Sequence, residues 1–182
     1  MLNCNTNFLS PSGFRLTVAG FKDVGFQCTN VSIPGISTGN ATQATPYNDI
    51  AIVGDKLQYE DLRITFLIDE NFVNYSLIHD WLVGMTYPQK SSQWNDFVKE
   101  MTDKDFKRQY DEFIDQIDIY LDILNSNFNT SFKAHFVDAF PVSLTPVEFS
   151  TELSDIQYLT ATATFKYTYF KLLDSNDKPK TL

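Results

Sequence analysis

The residues that could support acid–base or metal chemistry in this 182-residue chain are few and scattered. Asp69 and Glu70 are adjacent carboxylates, and a glycosidase needs two such groups held across a cleft. Capping of a following helix explains them more economically. His79 and His135 are the only histidines, and two histidines without converging carboxylates do not make a metal site. We therefore expect no catalytic residue, no metal and no cofactor, and the protein is not expected to be an enzyme.

The two cysteines, Cys4 and Cys28, are too few and too far apart for a zinc site or a disulfide framework. They are expected to be reduced thiols in a cytosolic setting. The sequence contains no glycine-rich phosphate loop, nucleophile elbow or HExxH motif. It begins without a signal-peptide pattern and has no window of about 18 apolar residues that could cross a bilayer.

Composition and charge favour a β-rich globular protein that does not read nucleic acid. The chain holds 16 Phe, 9 Tyr and 2 Trp, and aromatic residues suit half-buried sheets. Its 14 Lys and Arg against 23 Asp and Glu give a net charge of −9, whereas non-specific binding to nucleic acid depends on basic side chains. The length fits one domain over residues 1–182.

One strand followed by one helix is the clearest local pattern. Leu62, Ile64, Phe66 and Ile68 alternate with polar residues, as in a half-buried strand. Apolar residues then recur at helical spacing on one stripe: Phe72, Tyr75, Ile78, Trp81, Leu82 and Met85. Asp69 or Asn71 is expected to cap this helix, and Tyr87 before Pro88 to end it.

Other strands are predicted at 14–18, 24–32, 57–68, 117–123 and 132–136, and one regular strand at 158–170. A turn is predicted at Gly54 and Asp55. The two prolines of 140–150 favour an edge or a bend. The fold class is therefore mainly β with some α, an antiparallel β-sandwich or barrel flanked by one amphipathic helix.

Two segments interrupt this pattern. Residues 36–46 are small, polar and without periodicity, and they lead into "YNDIAIV" at 47–53. The segment 36–53 fits either an exposed loop or an extended hairpin, and long segments of this sort are uncommon in compact domains unless they bind something. Residues 89–116 are charged and helix-prone, and their two short apolar stripes predict a helical insertion.

The order of these features resembles the tail tube proteins of contractile-tailed bacteriophages, including tube-fold proteins at the tube ends. The resemblance rests on five stretches that cover well over half the chain: "FQCTNVSIPGIS" (26–37), "TPYNDIAIVGDKLQYEDLRITFLIDE" (45–70), "NYSLIHDWL" (74–82), "FVDAFPVSLTPVEF" (136–149) and "YLTATATFKYTYF" (158–170). It implies a virion protein, assembled in the host cytoplasm into stacked homo-hexameric rings. The inner sheets of those rings would close into one barrel through which DNA passes without specific binding.

The resemblance also implies partners and surfaces. The sheath and the baseplate or terminator proteins would be partners. The segment 36–53 would reach a neighbouring subunit through nine residues: Ile36, Thr38, Asn40, Thr42, Thr45, Pro46, Tyr47, Ile50 and Ile52. The inner sheet would draw on 57–68, 158–170 and the hairpin 117–137, with seven polar residues on its strands: Arg63, Thr65, Thr160, Thr162, Thr164, Lys166 and Thr168.

Three alternatives stay open from the sequence. The chain could form a ring at one end of the tube, as a baseplate initiator or a terminator. It could be a tube subunit of a related contractile injection or secretion system. A protein of another class, a partner- or glycan-binding β-sandwich module with exposed aromatics, also fits the composition.

Overall fold

The computed structural model describes residues 13–19, 28–86, 117–149, 158–174 and 177–179. These residues form nine strands and one helix: β1 (Phe14–Val18), β2 (Cys28–Val31), β3 (Ile36–Ala44), β4 (Asp49–Tyr59), β5 (Leu62–Leu67), α1 (Val73–Thr86), β6 (Ile117–Leu124), β7 (Thr130–Leu144), β8 (Thr160–Lys166) and β9 (Tyr169–Asp174). The predicted insertion at 89–116 and the early part of the strand at 24–32 lie outside these ranges.

The long strand β7 joins two halves of one folded sheet, in the order β1-β6-β7-β8-β5-β2. Its first part pairs with β6 on one side and β9 on the other, and its last part pairs with β8. We call β1, β6, β9 and the first part of β7 the front sheet, and β2, β5, β8 and the last part of β7 the back sheet. All pairings are antiparallel, as the fold class predicted.

The change of partner along β7 occurs at two unusual residues. Asp138 has a left-handed φ of 56°, and its N–H donates to the Asp118 carboxylate at 3.2 Å. The pairing with β8 then shifts register between Pro141 and Ser143. Proline lacks an N–H and fits a bend better than a regular central strand. The predicted bend is therefore present, but inside a strand.

One core fills the space between the two sheets. The front sheet contributes Ile119, Leu121 and Phe136 among others, and the back sheet contributes alternate residues of β5 and β8. The buried side chains of β5 and β8 are Leu62, Ile64, Phe66, Ala161, Ala163 and Phe165. The alternation in the sequence therefore predicted the inward-facing residues of these strands correctly.

Two strands predicted as long and continuous are each broken in two. The stretch 57–68 contains the end of β4 and all of β5, which lie in different sheets. The stretch 158–170 contains β8 and the start of β9, separated by Tyr167 and Thr168. Up to Tyr167 the odd-numbered residues face the core, but beyond the break the even-numbered Phe170 does so. Its ring centroid lies 5.5 Å from that of Phe136. A period-two pattern does not show such a phase shift when aromatic residues occupy both faces.

Helix α1 packs its buried face on the same core through Ile78 and Trp81. The Trp81 and Phe165 ring centroids lie 6.0 Å apart. The helix is not long and apolar enough to cross a membrane.

The start of α1 is fixed by Asn74, and not by the side chain of Asp69 or Asn71 as predicted. The Asn74 amide donates to the Leu67 carbonyl oxygen at 2.7 Å and accepts from the Asp69 N–H at 3.3 Å. Phe72 has a φ of 59°, which turns the chain before the first helical residue. The polar anchor therefore comes from inside the first turn and ties the helix to the end of β5.

Replacing Asn74 with alanine is expected to destabilise the fold by about 1–3 kcal/mol, because two part-buried hydrogen bonds to the backbone of Leu67 and Asp69 are lost. Asn74 is 1% exposed. Asn71→Ala is the matched control, since Asn71 is exposed and makes no side-chain hydrogen bond within the described residues. Urea denaturation of both variants checks the expectation, and equal stabilities would contradict it.

Candidate assembly surfaces

The predicted segment 36–53 is part of a β-hairpin that extends from the sandwich. Strands β3 and β4 pair only with each other, as a separate two-stranded sheet. Every residue of β3 is exposed, and β4 has no buried residue. Of the two readings of this segment, the extended hairpin is therefore correct, and it runs on to Tyr59.

The root of the hairpin is attached to the sandwich by hydrogen bonds and by edge-to-face contacts between aromatic rings. The Glu60 N–H donates to the Gly35 carbonyl oxygen at 3.1 Å, and the Gly35 N–H donates to the Glu60 carboxylate at 3.3 Å. The Tyr59 ring lies 6.0 Å from that of Tyr167 and 5.7 Å from that of Phe170. The hairpin is thereby anchored beside the core at one end only.

Burial raises the pKa of Tyr167 to about 12, so its hydroxyl stays protonated. That hydroxyl donates to the Glu60 carbonyl oxygen at 2.8 Å. The bond adds to the attachment of the hairpin root over the whole physiological pH range.

The two hairpin strands come into close contact at a pair of glycines. A Cβ atom on Gly54 would lie 2.1 Å from the Gly39 carbonyl oxygen, whereas a Cβ on Gly39 would meet nothing within 4 Å. The register shifts at the same place, between Thr38 and Asn40. Gly54 was predicted to mark a turn, and that prediction is wrong. Its lack of a side chain instead permits a close backbone approach within β4.

The apolar side chains of the hairpin are exposed to solvent. Tyr47 is 100% exposed and Val53 is 80% exposed, and four further large apolar residues are exposed. These are Ile36, Ile50, Ile52 and Leu57. An isolated two-stranded hairpin is marginally stable in water, so such a surface is a candidate for contact with another chain.

The structure brings the nine predicted contact residues together on this hairpin. Ile36 and Thr38 lie near the root, opposite Tyr59 and Leu57. Asn40 and Thr42 lie farther out, opposite Val53 and Ala51, and Ile50 and Ile52 are on β4. Thr45, Pro46 and Tyr47 form the tip, where the Thr45 hydroxyl and the Asn48 backbone bond to each other. Sequence reasoning missed Val53 and Leu57, although their apolar character was a usable signal.

Six of the seven residues predicted for the inner sheet share the outer face of the back sheet. Arg63 and Thr65 on β5 lie opposite Thr164 and Thr162 on β8. The Thr65 and Thr162 hydroxyls are 3.0 Å apart. We call this surface the hydroxyl face; it comprises Arg63, Thr65, Thr160, Thr162, Thr164 and Lys166. Thr168 lies beyond β8, where its N–H donates to the Val137 carbonyl oxygen at 3.0 Å.

The hydroxyl face carries one unpaired charge among the described residues, and that charge is positive. Lys166 pairs with Asp61 at 3.0 Å, and Arg63 is exposed without an ion pair within the described residues. The net charge of −9 therefore does not originate on this face.

The hairpin 117–137, which was predicted for the same inner sheet as β5 and β8, lies in the front sheet, whereas β5 and β8 lie in the back sheet. The outer face of the front sheet carries charged side chains, and it lines an open cavity of about 470 Å³. His135 lies there, with its Nε2 at 2.8 Å from the Asp118 carboxylate and its ring stacked on Tyr120. Lys133 pairs with Asp177 at 2.7 Å, and this hydrogen bond raises the pKa of Lys133. Within the described ranges, no group of three or more potential ligand side chains could hold a metal ion.

The other candidate chemical residues do not form a site. Asp69 and Glu70 are exposed, and their carboxylates make no hydrogen bond within the part of the chain that is described. His79 pairs with the adjacent Asp80 at the surface, 2.9 Å away. Cys28 is a free thiol whose pKa burial raises to about 12, which makes it unreactive at neutral pH. Cys4 lies outside the described residues.

The chain is similar in fold to components of contractile injection systems. A chain from the sheath–tube complex of an extracellular contractile injection system, PVC, in the extended state, has a TM-score of 0.59 and 15% identity, over 93% of this chain and 94% of that chain. A chain from the tube terminating cap of the anti-feeding prophage has a TM-score of 0.59 and 13% identity, over 95% of this chain and 99% of that chain. A chain from the baseplate of the same prophage has a TM-score of 0.56 and 8% identity, over 89% and 91%.

At these identities the likeness to solved structures shows the fold only. A search among curated proteins finds no match in sequence. A family model described as phage tail tube protein matches residues 6–173. Because that match spans most of the sequence, the chain belongs to the phage tail tube protein family.

Proposed function

We propose that this protein is the subunit of the hollow inner tube of a contractile phage tail, a structural protein without enzymatic activity. Six copies form a ring, and rings stack into the conduit through which DNA is delivered. The observation that carries the proposal is the exposed hairpin formed by β3 and β4. It presents six large apolar side chains to solvent, on a sandwich whose own core is already filled.

The back sheet supplies the right number of strands for a shared barrel. Its four strands are the last part of β7, then β8, β5 and β2. Six copies would contribute about 24 strands, which at a spacing of about 4.8 Å and a tilt of about 40° close into a barrel roughly 48 Å across. Such a barrel leaves room for duplex DNA together with side chains and water.

The free edges of the back sheet suit this closure. β2 has no outer neighbour among the described strands, and the last part of β7 pairs on one side only, with β8. Joining β2 of one copy to β7 of the next would remove both exposed edges, which otherwise favour uncontrolled pairing.

The hydroxyl face would then line the lumen. Threonine hydroxyls are neutral, and one of the two cations of the face is paired with Asp61. Arg63 is the one unpaired cation of the face among the described residues, so each copy offers a polyanion a single fixed positive charge. The sheath and the baseplate or terminator proteins would bind the other faces of the subunit. Residues 1–182 would act as one domain of the virion, assembled in the host cytoplasm.

The first test is self-assembly of the purified full chain, observed by negative-stain electron microscopy. Wild-type protein is expected to form open-ended hollow cylinders. The double variant Ile50→Ser/Ile52→Ser is expected to raise the concentration needed for assembly by about 100-fold, since each buried isoleucine contributes about 1.5 kcal/mol or more. The matched control is Phe128→Ser/Leu172→Ser, which replaces two equally exposed residues away from the hairpin.

The other outcomes of this test are distinct. Single rings that never stack would support a role at one end of the tube, as initiator or terminator. A monomer that stays monomeric at high concentration would contradict the tube and favour a binding module.

A further inference from the structure

A cluster of aromatic side chains lies beside the start of α1, with Phe72 and Tyr75 half-buried and Phe149 exposed. The Phe72 ring lies 5.7 Å from that of Tyr75, edge to face, and 6.1 Å from that of Phe149, nearly parallel. Phe149 is 72% exposed, and the adjacent Val73 is 46% exposed. We call Phe72, Val73, Tyr75 and Phe149 the aromatic patch.

The backbone of Phe72 is held in a conformation that is uncommon for an aromatic residue. Its φ is 59°, in the left-handed region that glycine favours. Its N–H donates to the Asp69 carbonyl oxygen and its own carbonyl oxygen accepts from Ser76, both at 2.9 Å. This geometry stacks the Phe72 ring on an exposed ring. Strained conformations of this kind are concentrated at functional surfaces.

The aromatic patch and the hairpin lie at opposite ends of the same strands. The chain leaves the hairpin just before β5 begins at Leu62, and the helix that carries the patch follows the end of β5 at Leu67. At the patch end, the Ile68 N–H bonds to the Leu159 carbonyl oxygen and the Thr145 N–H to that of Thr162. At about 3.3 Å per residue, β5 separates the hairpin root from the patch by roughly 17 Å.

We propose that the aromatic patch is the acceptor for the hairpin tip of the next copy of this chain along the tube. The proposal rests on the proposed self-assembly and names the surface that receives the hairpin. Both surfaces present apolar side chains to solvent, Phe149 and Val73 on the patch and Tyr47 and Ile50 on the hairpin, and no hydrogen bond or ring contact joins them within the described residues. A contact between opposite ends of identical molecules is heterologous, and it repeats without closing into a dimer. Stacked rings require a contact of this kind.

Two variants, each of which lacks one of the two contact surfaces, test the acceptor directly. The hairpin variant Ile50→Ser/Ile52→Ser keeps an intact patch, and Phe149→Ser keeps an intact hairpin. Each variant by itself is expected to fail to stack. In a mixture, the hairpin of the Phe149→Ser protein still fits the patch of the hairpin variant, so one contact forms and growth stops there.

The two variants are assembled into rings separately before they are mixed, so that side-by-side contacts within a ring do not contribute. The measurement is capture of untagged Phe149→Ser rings by rings of the affinity-tagged hairpin variant, followed by microscopy of the eluate. Capture is expected at least about tenfold above that of either variant by its own tagged form. Phe128→Ser, a change at an equally exposed phenylalanine in the β6–β7 turn, is expected to stack like wild type. Circular dichroism establishes that all variants are folded.

Two results would overturn the acceptor while leaving the tube intact: Phe149→Ser stacks at the wild-type concentration, or the mixture shows no capture although wild type stacks. If wild-type protein does not assemble at all, the proposed function fails and this inference fails with it.

Discussion

Replacing Gly54 with alanine is expected to abolish tube assembly while leaving the sandwich folded. The added methyl group would lie 2.1 Å from the Gly39 carbonyl oxygen, well inside the contact distance of any two heavy atoms. The neighbour is backbone and has no rotamer by which to move away. The hairpin must therefore open or change register, and its exposed residues lose the spacing that a neighbouring copy would recognise.

The matched control for this change is Gly39→Ala. A Cβ at Gly39 meets nothing within 4 Å, so assembly is expected to match that of wild type. Microscopy reports assembly, limited proteolysis reports opening of the hairpin, and thermal denaturation reports the sandwich. Because the hairpin contributes no buried residue to the core, the melting temperature of Gly54→Ala is expected to stay at the wild-type value. Normal cylinders from Gly54→Ala would contradict the assigned role of this close approach.

The second large effect is expected at Phe136, the ring at the centre of the core. It is fully buried on β7, 5.0 Å from the ring of Tyr167 and 5.5 Å from that of Phe170. Both of these rings also contact Tyr59 at the hairpin root. Phe136→Ala is expected to lower the free energy of unfolding by about 3–5 kcal/mol through lost burial and the cavity left behind.

Chemical denaturation checks this value, with Phe128→Ala as the comparison. Phe128 is 76% exposed, and its replacement is expected to change stability by less than about 0.5 kcal/mol. A loss below about 1 kcal/mol for Phe136→Ala would show that the core collapses around the missing ring.

The sequence predicts best those elements whose two faces meet different surroundings. β5, β6 and β8 each place one face in the core and the other in solvent, so their alternation identifies both the strands and their buried residues. The same reasoning placed Arg63, Thr65 and the threonines of β8 on one surface. It did not find the break at Thr168, because aromatic residues on both sides of that break keep the alternation regular.

The hairpin shows why other elements resist prediction. Both faces of β3 and β4 are exposed, so no contrast between core and solvent is imposed on their residues, and 36–46 has no period. Gly54 followed by Asp55 is typical of a turn. The sequence does not show that the backbone at Gly39 passes close to Gly54, so the true reason for the glycine could not be predicted. The aromatic patch could not be predicted from the sequence either, because it depends on contact between Phe72 and Phe149, which lie far apart in the chain.

The strand β7 has a mechanical consequence for the subunit. Its fifteen residues run through both sheets, so the two layers are joined by covalent backbone as well as by apolar contact. A force that pulls the layers apart cannot simply peel one from the other; it must also break hydrogen bonds along this strand to β6, β8 or β9. The two layers of such a subunit therefore yield together under load.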